Sequence, residues 1–340
     1  MTQKLKIITL LLLISCSIDA QKFVYDIDFL SFFDNRESQI SSYPSKTLFG
    51  VRLSPEIGVE LNDSTYGNHR LMAGVSYTQP FGATWRDARI HPTIYYDYKQ
   101  YGFNVTLGFI PWRTTRTTLP DYLMNDSLRY FAPNIQGAHF AYESRHGFSE
   151  FICDWRGMQS STTREAFRLL LLGEYHHKWF LVGGNAGLNH LASRLNPDSY
   201  DGVCDDITVQ PFVGFNLSQI TPLDTLALRT SYIFSYQRER RSNTLYIGHG
   251  FLAEFSIKWR FIKAENTLYI GNPLMPLYAQ YGTLLNQGES FYQHPIYNKT
   301  EFSVYIVQRP FANIYFSWNL HYVPGYPLAH QQLLIANLNI

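Results

Sequence analysis

The chain has 340 residues, a formal net charge of +1 and 16% charged side chains, against roughly 25% in soluble domains. So even a balance, with no clustered basic excess, excludes a nucleic-acid footprint. Its 25 tyrosines and 24 phenylalanines recur in segments of period two, not 3.6, which points to long strands with one apolar face.

The first twenty residues stand apart. Lys4 and Lys6 give a basic start, Ile7 to Ile14 a short apolar run, and Ile18-Asp19-Ala20 a small-residue exit. That is the pattern of a cleaved secretory signal peptide, too short to span a bilayer as a helix. Leu13-Ile14-Ser15-Cys16 loosely matches a lipoprotein box, so lipidation at Cys16 stands as the alternative to cleavage after Ala20. The expected division is a signal peptide over 1–20 and one barrel domain over 21–340. After Ala20 no apolar run approaches the ~18 residues of a transmembrane helix.

From there the pattern predicts strands over residues 23–36, 47–61, 69–80, 89–99, 103–113, 134–145, 148–157 and 164–176. Eight more follow over 179–191, 206–219, 226–238, 244–258, 261–271, 300–308, 313–322 and 330–340. The clearest places Ile314, Phe316, Trp318, Leu320 and Tyr322 on one face, with Asn313, Tyr315, Ser317, Asn319 and His321 on the other. A tilted transmembrane strand needs roughly 9–11 residues. The connections alternate long and short, as they do where short turns face the periplasm and long loops face outward. Trp112 and Trp155 fall near the outer ends of their strands and Trp179 and Trp259 near the inner ends, as interfacial girdles require. The fold class is therefore all-β: a transmembrane antiparallel barrel of about 16 strands, with 14 to 18 compatible with the pattern. Of the cysteines beyond Cys16, Cys153 falls mid-strand and Cys204 in a loop over 192–205, so no disulfide is expected.

With its leader, its sixteen strands, its loop parity and a C-terminus inside a strand (Leu334, Ala336, Leu338 and Ile340 outward), the mature chain resembles the porin-like outer-membrane barrels of Gram-negative bacteria. Phe33-Asp34-Asn35-Arg36 and Cys153-Asp154-Trp155-Arg156-Gly157 are distinctive but name no substrate. A final Ile340 departs from the aromatic terminus common in such barrels. The resemblance implies outer-membrane localisation and contact with the lipid bilayer.

Strand phase sends Arg52, Glu56, His139, Glu143, Arg145, Glu150, Asp154, Arg156, Arg168, Arg229, Glu254, Lys258, Lys263, Glu265 and Glu301 to the lumen. A basic side chain at the bilayer midplane on the lipid side would cost about 2–4 kcal/mol. The two signs nearly cancel. That lining predicts a weakly charge-selective channel for passive or ligand-facilitated passage of small solutes, and no enzyme. The alternative is a docking component of an envelope secretion or assembly complex, with a barrel enzyme ranked behind both. Possible partners are small solutes, other envelope proteins or further copies of the chain. His176-His177 reads as a solvated turn, and no cofactor, metal site or catalytic set is expected. The insertion 114–133 is apolar for a loop, with Leu119, Tyr122, Leu123, Met124 and Tyr130, so it must rest on something. In porins the third loop narrows the lumen. Here that would make Arg116, Asp121, Asp126 and Arg129 a constriction, the competing arrangement being packing on a partner or on the second long insertion, 272–299.

Overall fold

Alternation of side chains builds the wall. The computed structural model describes residues 21–197 and 201–340, so the leader expected over 1–20, with Cys16, lies outside the described residues. Sixteen strands follow: β1 (Gln21–Glu37), β2 (Lys46–Asp63), β3 (Gly67–Pro80), β4 (Arg89–Gln100), β5 (Phe103–Pro111), β6 (Asn134–Ser144), β7 (Gly147–Gly157) and β8 (Ala166–His177). Then come β9 (Phe180–Leu191), β10 (Cys204–Asn216), β11 (Thr225–Glu239), β12 (Thr244–Trp259), β13 (Ile262–Gly271), β14 (Ile296–Arg309), β15 (Ala312–Tyr322) and β16 (Ala329–Asn339). Each pairs antiparallel with its sequence neighbour, and β1 closes on β16. Closure leaves no edge strand, which is what lets a sheet sit in hydrocarbon.

In β15, Phe316, Trp318 and Tyr322 face lipid while Ser317, Asn319 and His321 are buried inside. The same phase runs into β14 and β16, where Phe316 opposes Val304 and Leu334. Short turns close the periplasmic side. In one, Tyr101 and Gly102 both take left-handed backbone (φ 50° and 84°), the geometry that matches the twist of a two-residue hairpin. At Gly102 an added Cβ would also meet the Glu143 carbonyl oxygen at 2.3 Å.

Three outer loops do not stay outside. Residues 38–45, 114–133 and 272–295 fold into the lumen and share one core with inward wall residues. Leu119, Tyr122, Leu123 and Met124 of the second loop and Leu274, Met275, Phe291 and Tyr292 of the third meet Ile152, Leu170, Leu252 and Tyr297 of the wall. Burying one such side chain contributes about 1.5–3 kcal/mol, so the plug has its own drive to stay in. It includes two short helices, α1 (Asp126–Phe131) and α2 (Tyr278–Tyr281). Asn125 caps α1, its Oδ1 accepting from the Leu128 N–H at 3.0 Å.

Three expectations are corrected. Arg145 sits exposed in the turn between β6 and β7, not in the lumen, because β6 ends one residue earlier than the alternation suggests. Trp112 is no girdle residue: it points inward, packed against the plug core and under the Arg168 guanidinium at 5.0 Å. Cys204 opens β10 instead of lying in a loop, which carries Asp205 into the wall as well.

Candidate functional site

The lumenal charges are mostly spent on one another and on the plug. Arg52 approaches Asp28 at 3.8 Å and donates to the Arg129 carbonyl at 3.1 Å. Glu56 is held by Arg113, and Glu143 by Arg116 of the second loop. Arg229 spans Glu174 at 2.9 Å and Glu254 at 3.9 Å, and Lys263 meets Glu265 at 2.5 Å. Lys299 bridges Asp121 at 3.0 Å and Glu301 at 3.4 Å. Lys258 donates to Gln308 at 2.6 Å. Asp154 holds Arg168 at 3.3 Å, whereas Arg156 forms no ion pair among the described residues.

The second loop therefore crosses the barrel and also docks on the second long insertion. Tyr122 donates to Gln210 at 2.6 Å, and Gln331 donates to Asp126 at 2.9 Å. Asn125 donates to the Gln287 carbonyl at 3.0 Å, and the Glu289 carboxylate accepts the Asp126 N–H at 2.8 Å. Burial pushes the Glu289 carboxyl up to about 8, with Asp126 beside it adding to the rise. Burial alone would raise Asp126 too, but Lys299, Arg129 and Arg36 hold its carboxyl below the usual range.

Among the described residues, two histidine–carboxylate pairs are the candidates for proton-transfer chemistry. His139 Nε2 lies 3.0 Å from Glu150 Oε1. Both Glu150 oxygens also serve the second loop, one accepting the Arg116 N–H at 2.8 Å and the other the Thr117 hydroxyl at 2.5 Å. The adjoining cavity of about 630 Å³ is bordered by Gln100, Tyr101 and Gly102 of a periplasmic turn. This pair anchors the plug.

The other pair is on the outer wall. His190 of β9 and Asp205 of β10 oppose each other one residue from the extracellular ends of their strands, with Leu191 and Cys204 beside them buried inside. His190 Nδ1 lies 2.7 Å from Asp205 Oδ1. Arg240, just past β11, grips the same carboxylate from Nε at 2.9 Å and Nη2 at 3.2 Å. The His190 ring stacks on Phe167 at 4.8 Å, and Phe167 on Trp155 at 5.2 Å. Nε2 carries no hydrogen bond to any described residue. Chemically this is an imidazole with one nitrogen fixed by a charge-clamped carboxylate and the other free, set at the rim of an apolar wall. Polar groups on the lipid side are affordable at that depth, where the cost of a charge falls to roughly 0–1 kcal/mol.

The sequence reading missed this pair because it placed Asp205 in a loop over 192–205, away from the strand that carries His190. The available signal was a histidine on an outward row, where an apolar residue is the rule.

Fold and rim together define an outer-membrane β-barrel with polar chemistry on its lipid-facing outer edge. The chain belongs to the Lipid A 3'-O-deacylase-type family, whose model matches residues 16–333. No curated protein matches its sequence. Among solved structures it is similar to a loop L8 deletion mutant of Vibrio cholerae OmpT (TM-score 0.57, 9% identity, 95% of this chain and 100% of that one). It is also similar to Salmonella typhi OmpF in complex with daunomycin (0.53, 8%, 95% and 98%) and Pseudomonas aeruginosa OccK9 (0.53, 9%, 94% and 98%). At such identities the likeness is one of fold. The family corrects the expectation of a passive channel and of a chain without enzymatic activity: it is named for an enzyme, and the third-ranked reading was the better one.

Proposed function

We propose that the protein is an outer-membrane esterase that removes an ester-linked acyl chain from a lipid A-type glycolipid, exported by way of residues 1–20. The observation that carries the assignment to a site is the 2.7 Å contact of His190 Nδ1 with Asp205 on the lipid-facing rim. A substrate with its sugar among headgroups and its acyl chains in hydrocarbon presents its ester bonds at that boundary. Phe167 and Trp155 offer the chain an apolar flank.

His190 Nε2 takes a proton from water as the water oxygen attacks the ester carbonyl. The tetrahedral intermediate then collapses, the carbon–oxygen bond to the sugar breaks, and the imidazolium returns its proton to the departing alkoxide. The products are a free fatty acid and a sugar hydroxyl. Asp205 fixes the tautomer and stabilises the imidazolium, the role a carboxylate plays behind any such histidine. Arg240 keeps that carboxylate aimed.

The test is release of fatty acid, followed by mass spectrometry, from outer-membrane glycolipid by detergent-purified protein. Removing a general base costs roughly 10²–10⁴ in rate, and His190→Ala should lose that much. A second rim histidine is the comparator: His330, stacked on Trp318 at 6.0 Å, near Gln332, which accepts from Asn35 at 2.7 Å. If His330→Ala kills the reaction and His190→Ala spares it, the site is misassigned.

A further inference from the structure

Inside the outer mouth, walled off from the rim, is a cavity of about 190 Å³ between the wall and the plug. It is lined by Arg156 of β7, Arg168 of β8, Asp154, Asn134, Trp112 and Gln287. A single water needs roughly 10–15 Å³ of such space, so there is room for a tetrahedral oxyanion with waters.

The hydrogen bonds do not close locally. Asp154 is fully engaged, one oxygen accepting the Gln136 N–H at 3.0 Å and the other taking Arg168 at 3.3 Å. Arg168 is further held by the Leu123 carbonyl at 3.4 Å and by the Trp112 ring. Arg156 is left over. Its Nε and Nη2 are buried with no hydrogen-bond partner among the described residues, as is Nε of Arg168. Asp206 on β10 acts on Arg156 through space without touching it, its two oxygens accepting from the Asn189 amide at 3.1 Å and the Gln237 amide at 3.0 Å. A guanidinium without a carboxylate, its donors removed from water, is costly unless something anionic accepts from it.

The remaining orphans narrow the class. Oδ1 of Asn134 and Oε1 of Gln287 are buried acceptors without donors among the described residues, and Gln287 is only 7% exposed. Asn134 is fixed in that orientation, because its Nδ2 donates to the Pro92 carbonyl at 2.8 Å. A carboxylate or sulfate has nothing to donate to them at neutral pH. Hydrogen phosphate, or a phosphate monoester, whose second pKa is about 6, offers oxygens to the two guanidiniums. Hydrogen phosphate, and the monoester in its singly protonated form, also offer one P–OH to an amide carbonyl.

We propose that this cavity is a phosphate-binding site, taking inorganic phosphate or the phosphate of a headgroup that reaches in through the mouth. Arg156 is its principal donor. The inference stands apart from the esterase reading, since it uses none of the rim residues and its test measures binding.

The experiment is calorimetric titration of inorganic phosphate into the full-length protein in detergent, with sulfate as the comparison anion. In parallel, the protein is captured on nanodiscs with and without phosphatidic acid. Wild type, Arg156→Gln and Arg156→Lys are compared, and heat-modifiable migration confirms that each variant is a folded barrel. Saturable phosphate binding, stronger than sulfate binding, is expected. Arg156→Gln should weaken it by about tenfold or more, the loss of one charge-assisted contact, and Arg156→Lys should recover part of it. Binding only to phosphatidic acid discs, and lost in Arg156→Gln, would assign the site to headgroup phosphate. No binding in either arm, or binding that Arg156→Gln leaves unchanged, overturns the proposal.

Discussion

At His190 the chemistry turns on which ring nitrogen is tied down. Nδ1 faces Asp205, so the neutral ring carries its proton there and leaves the Nε2 lone pair for water. Asp205→Asn keeps the size and can keep a hydrogen bond, but removes the charge that favours the imidazolium. Its expected signature is a kcat fall of roughly 10²–10⁴ with little change in KM, since the carboxylate touches no substrate. The measurement is initial-rate kinetics of acyl release. A KM effect without a kcat effect would make Asp205 a binding residue instead. Neither residue is a motif. His190 and Asp205 stand 15 positions apart and meet only through the β9–β10 register, which depends on β10 starting at Cys204. A loop-rich stretch with Asn196, Pro197 and Gly202 hides that start. The Cys153–Gly157 segment shows the opposite case. Its oddity was visible at once, but its meaning needed two faces: Trp155 outward beside the rim site, and Asp154 and Arg156 inward on the phosphate cavity.

Among elements, strands were legible because period two is repeated ten residues at a time, and a slip of one would turn every Phe to the lumen. Phe316 tests that phase. Phe316→Arg puts a charge on the lipid row at a cost of about 2–4 kcal/mol at the midplane, and heat-modifiable barrel should be largely lost. Normal assembly would mean the row faces elsewhere. Loops were less legible. The apolar content of 114–133 said that it must rest on something, yet only the fold shows it resting on the wall and on 272–295 together. That contact is set for pH dependence. The Glu289 carboxyl, raised by burial and by Asp126, is protonated in the docked plug more readily than in an undocked one. Its contribution is therefore complete below about 4.5 and is lost as pH rises through about 8. Asp126, shifted down, acts only at the acid end and does not oppose this. Protection of amides 119–130 from hydrogen exchange, taken relative to the intrinsic rate at each pH, should fall between pH 6 and pH 9, and Glu289→Gln should flatten that dependence. An equally steep profile in Glu289→Gln would put the titration elsewhere.

The molecule as a whole has the wall of a porin and the interior of a packed domain. Sixteen strands enclose a bore wide enough for water, and a sequence reading that stops at the wall concludes that solutes pass. What overrides it is the family match, and the interior adds a long-range core of plug and wall whose members lie far apart in sequence: Phe291 on Tyr297, Tyr43 on Phe291, and Leu123 in one cluster with Leu170. No local pattern announces such contacts. The consequence is measurable in a planar bilayer. Intact protein should show little or no stepwise conductance, because the loops 38–45, 114–133 and 272–295 pack together across the bore. Deleting residues 119–130 removes Leu119, Tyr122, Leu123 and Met124 from the core and frees Lys299 and Gln331. The wall, held by its own ladders, should survive as heat-modifiable barrel and now conduct. Acyl release should persist in the same variant, since His190 and Asp205 face the other side of the wall. Large steady currents from the intact protein would mean that the plug does not occupy the bore. Loss of acyl release on deleting it would tie the reaction to the lumen and move the site away from the rim.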